Sequence, residues 1–215
     1  VAVRMPDHPM ALKLIRTAGV PVAAPSANLF GCLSPTTPAH VHDQLAHRVD
    51  YILNGGPCAV GLESTILDLT EPSPAVLRPG GLSIEEIESV IGRVRLAQDV
   101  PEQPRAPGQL PGHYAPRTPL LILNDDVPAP TLSRRAGLLC LRSPRPDVPA
   151  RHVEILSQRG DLREAASNLF AALHRLDDLG LDVIYAEPVA ETGLGRAIMN
   201  RLRKASMAHA LLVDE

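Results

Sequence analysis

The sequence predicts an α/β protein, and three observations lead there. Short, almost wholly apolar runs alternate with stretches whose apolar residues recur at helical spacing. This alternation occurs twice, over residues 1–94 and again over 119–215. Between them, residues 95–118 gather Pro101, Pro104, Pro107, Pro111 and Pro116 with Gly108 and Gly112, and no period of either kind survives. The expectation is two α/β units joined by a linker that proline makes extended and fairly stiff. Near-continuous apolar strands in the second unit favour a small parallel sheet.

Each element has a local reason. Val1–Arg4 reads as the tail of a strand entered from upstream, so a preceding segment is expected. Pro9–Ala18 suits a helix, with Ala11, Leu12 and Ile15 on one face and Gly19 as its stop. Val20–Ala24 reads as an apolar strand running into Pro25-Ser26-Ala27-Asn28. Thr37 and Pro38 supply an N-cap and a first-turn proline for a helix that turns Val41 and Leu45 inward and ends near His47. Val49–Leu53 reads as a strand closed by Asn54-Gly55-Gly56. Ser64–Leu69 and Ala75–Leu77 are the next strands, divided by the turn residues Glu71–Pro74. Ser83 and Glu86 form a capping box that opens a helix through Val90 and Ile91, and Gly92 ends it.

Past the linker, Leu120–Leu123, Gly137–Leu141, Val153–Leu156 and Val183–Ala186 read as strands. Asp161 N-caps a long helix to Leu179, along which Leu162, Ala165, Leu169, Phe170, Leu173 and Leu176 keep helical spacing before Gly180. A last helix covers about Arg196–Met207.

Composition excludes several function classes. Aromatic residues make up 2% of the 215 and Trp is absent, which argues against stacking platforms for single-stranded nucleic acid. A net charge of −3 shows no basic excess for a polyphosphate backbone. Cys32, Cys58 and Cys140 are widely spaced and form no CxxC, so neither a zinc site nor a disulfide framework is supported. A reducing cytoplasm is the expected compartment. No apolar run reaches the roughly 18 residues of a membrane span, and none is expected. Gly193-Leu194-Gly195 begins like a dinucleotide fingerprint, but Ile198 occupies the third glycine position. The P-loop pattern, the G-x-S-x-G elbow and the HExxH pair are all absent.

The remaining polar clusters each allow a structural and a functional reading. Pro25-Ser26-Ala27-Asn28 follows an apolar run, where small hydroxyl and amide groups bind ligands in open α/β sheets, although a simple turn also explains them. Ser34-Pro35-Thr36-Thr37 is largely accounted for by helix capping. Gly61-Leu62-Glu63-Ser64-Thr65 places polar residues where a strand alone needs none. Arg78 at a strand end offers a fork for phosphate or carboxylate, or faces solvent. Tyr114 in the linker either packs or folds over a ligand.

Taken in order, these stretches resemble one family. Arg4-x-Pro6-x-His8, Ala24–Asn28 (APSAN), Gly31 with Ser34–Thr36, Asn54–Gly56, Gly61–Thr65 (GLEST), Leu77–Gly80 (LRPG), Gly112–Pro116 (GHYAP) and Gly193–Ser206 are similar to YrdC-like threonylcarbamoyl-AMP synthases of the long, two-domain form. The resemblance implies a partial YrdC-like twisted sheet with helices over 1–94, the linker over 95–118, and a small Rossmann-like parallel α/β domain over 119–215. It also implies an activity: L-threonine, bicarbonate and ATP become threonylcarbamoyl-AMP and pyrophosphate, and the product passes to the machinery that installs t6A in tRNA. By motif position, Arg4, Ala24 and Ser64 would contact L-threonine. Ser26, Ser34, Arg78 and Tyr114 would contact ATP, with Asn28 and Thr36 beside them. Mg2+ is expected with the ATP, and no protein metal site is expected.

The family's catalytic domain opens with a P-T-E-T-x-Y-G-type stretch and a K-x-R set that grips phosphates, and neither occurs in these 215 residues. The chain alone is therefore expected to be poorly active. Two other readings stay open: a non-catalytic remnant that holds threonine or nucleotide, and an RNA-binding module. Charge and composition weigh against direct tRNA binding without deciding it.

Overall fold

The computed structural model describes residues 1–97, 104–110, 112–123, 135–148 and 150–210. Helix α1 spans Pro9–Ala18, with proline in its first turn and Gly19 closing it through an N–H bond to the Ile15 carbonyl at 3.1 Å. Helix α2 spans Pro38–Leu45, capped by the Thr37 side chain, and runs into a 3-10 turn at Ala46–Arg48. Strands β1 (Ile66–Asp68) and β2 (Ala75–Arg78) pair antiparallel. Helix α3 (Ile84–Ile91) starts at the expected capping box, with both reciprocal bonds present. It leads to β3 (Arg95–Leu96), which pairs parallel with β2. The small sheet therefore has the order β1-β2-β3 and takes its last strand from the expected linker.

The second sheet is wholly parallel, as expected for a small Rossmann-like unit. Strands β4 (Leu120–Ile122), β5 (Ala136–Cys140), β6 (His152–Ile155) and β7 (Val183–Ala186) take the order β4-β7-β5-β6. Helix α4 (Leu162–Asp177) is N-capped by Asp161, whose carboxylate accepts from the N–H groups of Arg163 and Glu164. Helix α5 covers Gly195–Ala210.

Every residue of β5 is buried, which its place between two strands and two covered faces demands. Leu139 faces a core with Leu169, Phe170, Leu173 and Leu176 of α4 and Ile198, Leu202 and Ala205 of α5. Ala136, Leu138 and Cys140 face the other way, into a smaller cluster completed by Val148, Val183 and Tyr185. From the N-terminal region, buried Leu33 enters the larger core, with half-buried Leu62 against it.

The first sixty residues contrast with this. Helix α1 buries none of its residues, and Val1, Val3, Val20, Val22, Tyr51 and Leu53 are exposed. Two expected strands, Val20–Ala24 and Val49–Leu53, carry no ladder. Their composition favours extended backbone, but a strand also needs a hydrogen-bonded neighbour. Among the described residues neither has one. No helix among the described residues is long and apolar enough to cross a membrane.

Candidate functional site

Two loops and one strand end build the site. The loop between β1 and the preceding glycines brings Gly61, Leu62 and Glu63 against Ser26, Ala27, Ser34, Pro35, Thr36 and Cys58. Together with Val41 they line a cavity of about 310 Å3. Of the expected residues, Ser26, Ser34 and Thr36 therefore share one cavity. Ser34 and Thr36 are buried, an unusual fate for hydroxyl side chains, and each has partners. Ser34 donates its hydroxyl to Glu63 Oε1. The Thr36 N–H donates to His40 Nδ1 at 3.2 Å.

A second group of expected residues meets at Ser64. Arg4 Nη1 donates to Ser64 Oγ at 3.4 Å. Arg78 donates from Nη2 and Nε to the Ser64 carbonyl, at 2.8 and 3.3 Å, and from Nη1 to the Pro107 carbonyl at 3.2 Å. One serine thus joins two guanidinium groups that come from opposite ends of the N-terminal region. Burial pulls the Arg78 pKa down, while Tyr114 and Glu63 nearby pull it up.

Tyr114 sits beside this group and is 2% exposed. Its ring lies 5.8 Å from that of Phe170, and the Arg201 guanidinium carbon stands 4.7 Å from the ring centroid. Burial pushes its phenol up, against the pull of Arg201. Its backbone adopts φ +65°, which only a well-packed non-glycine residue tolerates. Gly108 makes room for it, since a Cβ there would stand 2.1 Å from the Tyr114 hydroxyl. Gln109 fastens the same stretch to the sheet by accepting from the Arg105 and Ala106 N–H groups and donating to the Leu77 carbonyl.

Two expected residues stand apart from these contacts. Asn28 donates to the Leu29 and Cys32 carbonyls, tying its own turn, and Ala24 is exposed.

Several residues at the site escaped the motif reading. Glu63 is the main one. Burial pushes its carboxyl up, but the Arg201 guanidinium and the Ser34 hydroxyl outweigh burial and leave it below the usual carboxylate range. Arg201 pairs with Glu63 Oε2 at 2.8 Å, although 138 residues separate them. His174 of α4 donates from Nε2 to the Ser34 carbonyl at 3.1 Å and stacks on His40 at 3.8 Å. A signal for Arg201 was present, because it keeps helical register with Ile198 and Ala205 on the buried face of α5.

The polar groups around the cavity are hydroxyls, a guanidinium and a carboxylate, and both carboxylate oxygens already accept. Among the described residues, no group of three or more His, Cys, Asp or Glu is placed to hold a metal.

A family model for the C-terminal domain of threonylcarbamoyl-AMP synthase matches residues 82–207, and one described as telomere recombination matches 1–80. The threonylcarbamoyl-AMP synthase of Bacillus subtilis strain 168 is 42% identical over 217 residues, covering 96% of this chain and 63% of the relative. The Pyrococcus abyssi protein of the same name is 42% identical over 218 residues, covering 96% and 64%. That of Schizosaccharomyces pombe is 36% identical over 231 residues, covering 95% and 57%. A crystal structure of P. abyssi Sua5 complexed with L-threonine superposes with a TM-score of 0.85 at 42% identity, covering 97% of this chain and 64% of that one. The chain thus spans a little under two thirds of the length of the B. subtilis and P. abyssi relatives and 57% of that from S. pombe. With more than half of its residues under one family model and these identities along nearly all of it, the chain belongs to the threonylcarbamoyl-AMP synthase family.

Proposed function

We propose that this protein serves the synthesis of threonylcarbamoyl-AMP from L-threonine, bicarbonate and ATP, with pyrophosphate as the second product. The reaction needs two alignments. Threonine's amine captures carbon dioxide as a carbamate, and a carbamate oxygen then attacks the α-phosphorus of ATP while the bond to pyrophosphate breaks. Neither step demands a strong side-chain acid or base, so orientation and charge stabilisation carry the catalysis. A site of hydroxyls and guanidinium groups suits that demand.

The observation that carries this reading is the meeting at Ser64. Arg4 on its hydroxyl would take the threonine carboxylate, with Ala24 alongside, while Arg78 on its carbonyl would face the nucleotide. Amino acid and nucleotide would then approach within the width of one residue. Ser26, Ser34 and Thr36 in the cavity, with Asn28 in the turn beside it, would hold the rest of the ATP, and Tyr114 would close against Arg78. Mg2+ would enter on the ATP phosphates and neutralise charge that shifts onto the pyrophosphate. The L-threonine bound in the P. abyssi structure supports the amino-acid half of this proposal. We place the reaction in the cytoplasm, with the product handed to the t6A transfer machinery. The expected division into 1–94, 95–118 and 119–215 belongs to the same proposal.

The test is calorimetry with L-threonine and ATP, followed by pyrophosphate release from ATP, Mg2+ and bicarbonate with and without L-threonine. Binding of both ligands and release that rises with threonine are expected, and turnover should be slow. Arg78→Ala should weaken ATP use on the order of 10–100-fold, the worth of a charge-assisted contact of about 1.5–3 kcal/mol. Release indifferent to threonine overturns the proposal, and binding without any release favours a ligand-holding remnant.

A further inference from the structure

Arg201 lies on α5, outside the motif positions assigned to substrates, yet only 1% of it is exposed. A guanidinium taken from water is costly unless its partners are many and well placed. Its Nε donates to Glu63 Oε2 at 2.8 Å and its Nη2 pairs with the same oxygen at 2.8 Å. Its Nη1 donates to the Pro79 carbonyl at 2.9 Å and to Asn200 Oδ1 at 2.7 Å. Its flat face covers the Tyr114 ring. Each long-range contact lands on or next to a candidate nucleotide residue: Glu63 holds Ser34, Pro79 follows Arg78, and Tyr114 is one itself. An interface that needed only stability is often served as well by an apolar side chain of similar size.

The consequence falls on Ser34. A serine hydroxyl has one proton and two lone pairs, and an ionised carboxylate can only accept. Glu63 takes that proton on Oε1. The Ser34 carbonyl is held in turn by His174 at 3.1 Å. What the Ser34 hydroxyl then offers to the cavity it lines is lone pairs alone. A phosphate oxygen, itself an acceptor, finds no donor in that hydroxyl, whereas a ligand hydroxyl or amino group, which donates, finds an acceptor.

Building on the nucleotide site proposed above, we infer that Arg201 is a positioning residue: by fixing the Glu63 carboxylate it commits Ser34 Oγ as an acceptor, so that this wall of the cavity reads a hydrogen-bond donor of the nucleoside rather than a phosphate. Among the described residues, Arg201, Arg78, His113 and the Tyr114 phenol are charged or titratable groups that interact with Glu63.

Two measurements on the full chain test this. In the first, adenosine and inorganic tripolyphosphate are titrated into the wild type and Ser34→Ala by calorimetry. Ser34→Ala should weaken adenosine about fivefold, as expected for one neutral hydrogen bond, and leave tripolyphosphate within about twofold. Weakened tripolyphosphate with unchanged adenosine overturns the inference. In the second, carbon NMR follows the Glu63 carboxyl through an acid titration in the ligand-free wild type and in Arg201→Lys. Its midpoint should rise by on the order of one pH unit when the guanidinium fork is lost. An unmoved midpoint removes Arg201 from its role. If the wild type binds no adenosine, tripolyphosphate, ATP or L-threonine, the proposed function falls, and the carboxyl titration still decides whether Arg201 sets Glu63. If Arg201→Lys fails to fold, Ser34→Ala decides, because that change leaves the buried guanidinium intact.

Discussion

At Gly61 the backbone takes φ +72°, and a Cβ built there would stand 2.3 Å from the Ser167 carbonyl oxygen of α4. The obstacle is helix backbone, which cannot swing aside as a side chain could. Nearby, Ser167 Oγ donates to the Ala59 carbonyl at 2.9 Å, so the loop lies directly on the helix. Gly61→Ala should cost about 2 kcal/mol or more, from the left-handed backbone and the clash together. Thermal unfolding would read this as a fall of several degrees, and an unchanged midpoint would mean that the loop can lift off α4 freely. The same close approach shows what was legible residue by residue. Ser26, Ser34 and Thr36 are singled out by their motif positions in the family resemblance, since a turn and a helix cap explain them equally well by local chemistry. Glu63 stood in full view within its motif, yet its role depends on Arg201, which arrives from 138 positions away. No local pattern reports a partner at that distance. A charge on a helix is also ordinarily read as a solvated one.

Helix α2 is an element whose ends the sequence foretells and whose surroundings it hides. Thr37 and Pro38 settle its start through chemistry confined to one turn, and the same holds for the capping box of α3 and the Asp161 cap of α4. Val20–Ala24 and Val49–Leu53 had the composition of strands, but a ladder is a long-range bargain and composition cannot strike it alone. What α2 meets is α4: His40 stacks on His174 while its Nδ1 accepts from the Thr36 N–H. Accepting that N–H requires an unprotonated His40 Nδ1. Burial, then the neighbouring His174, pull the His40 pKa below its ordinary 6.5, against Asp178 and Asp43, which pull it up. The unfolded chain therefore binds more protons than the folded one between the lowered value and 6.5. This contribution to stability is whole above that ordinary value and drains away as pH falls through the folded one. Urea unfolding at about pH 7.5 and about pH 5.5 should show the wild type losing more stability than His40→Gln, whose amide oxygen can still accept from Thr36. Equal losses would clear His40 of any part in acid sensitivity.

Across the whole molecule, buried apolar area is distributed unevenly. The parallel sheet with α4 and α5 holds nearly all of the larger core, whereas α1 buries nothing among the described residues. Local stability follows burial, so native-state hydrogen exchange should protect the amides of β5, β7 and α4 far more than those of α1. Comparable protection in α1 and α4 would contradict that gradient. This unevenness could not be read from the sequence, since the apolar spacing of α1 and of α4 look alike and differ only in what each meets. The two regions are nevertheless sewn together by polar contacts: Arg201 to Glu63, Arg196 to Glu85, Arg163 to Glu86 and His174 to Ser34. The first of these lies at the edge of the cavity itself. Glu63 and Arg201 are consequently bound to a common evolutionary fate, because drift at either one strands an ion inside the protein. A hybrid gene that spliced the opening portion of one relative onto the closing portion of another would keep this ion pair only where the first parent supplied the glutamate and the second the arginine.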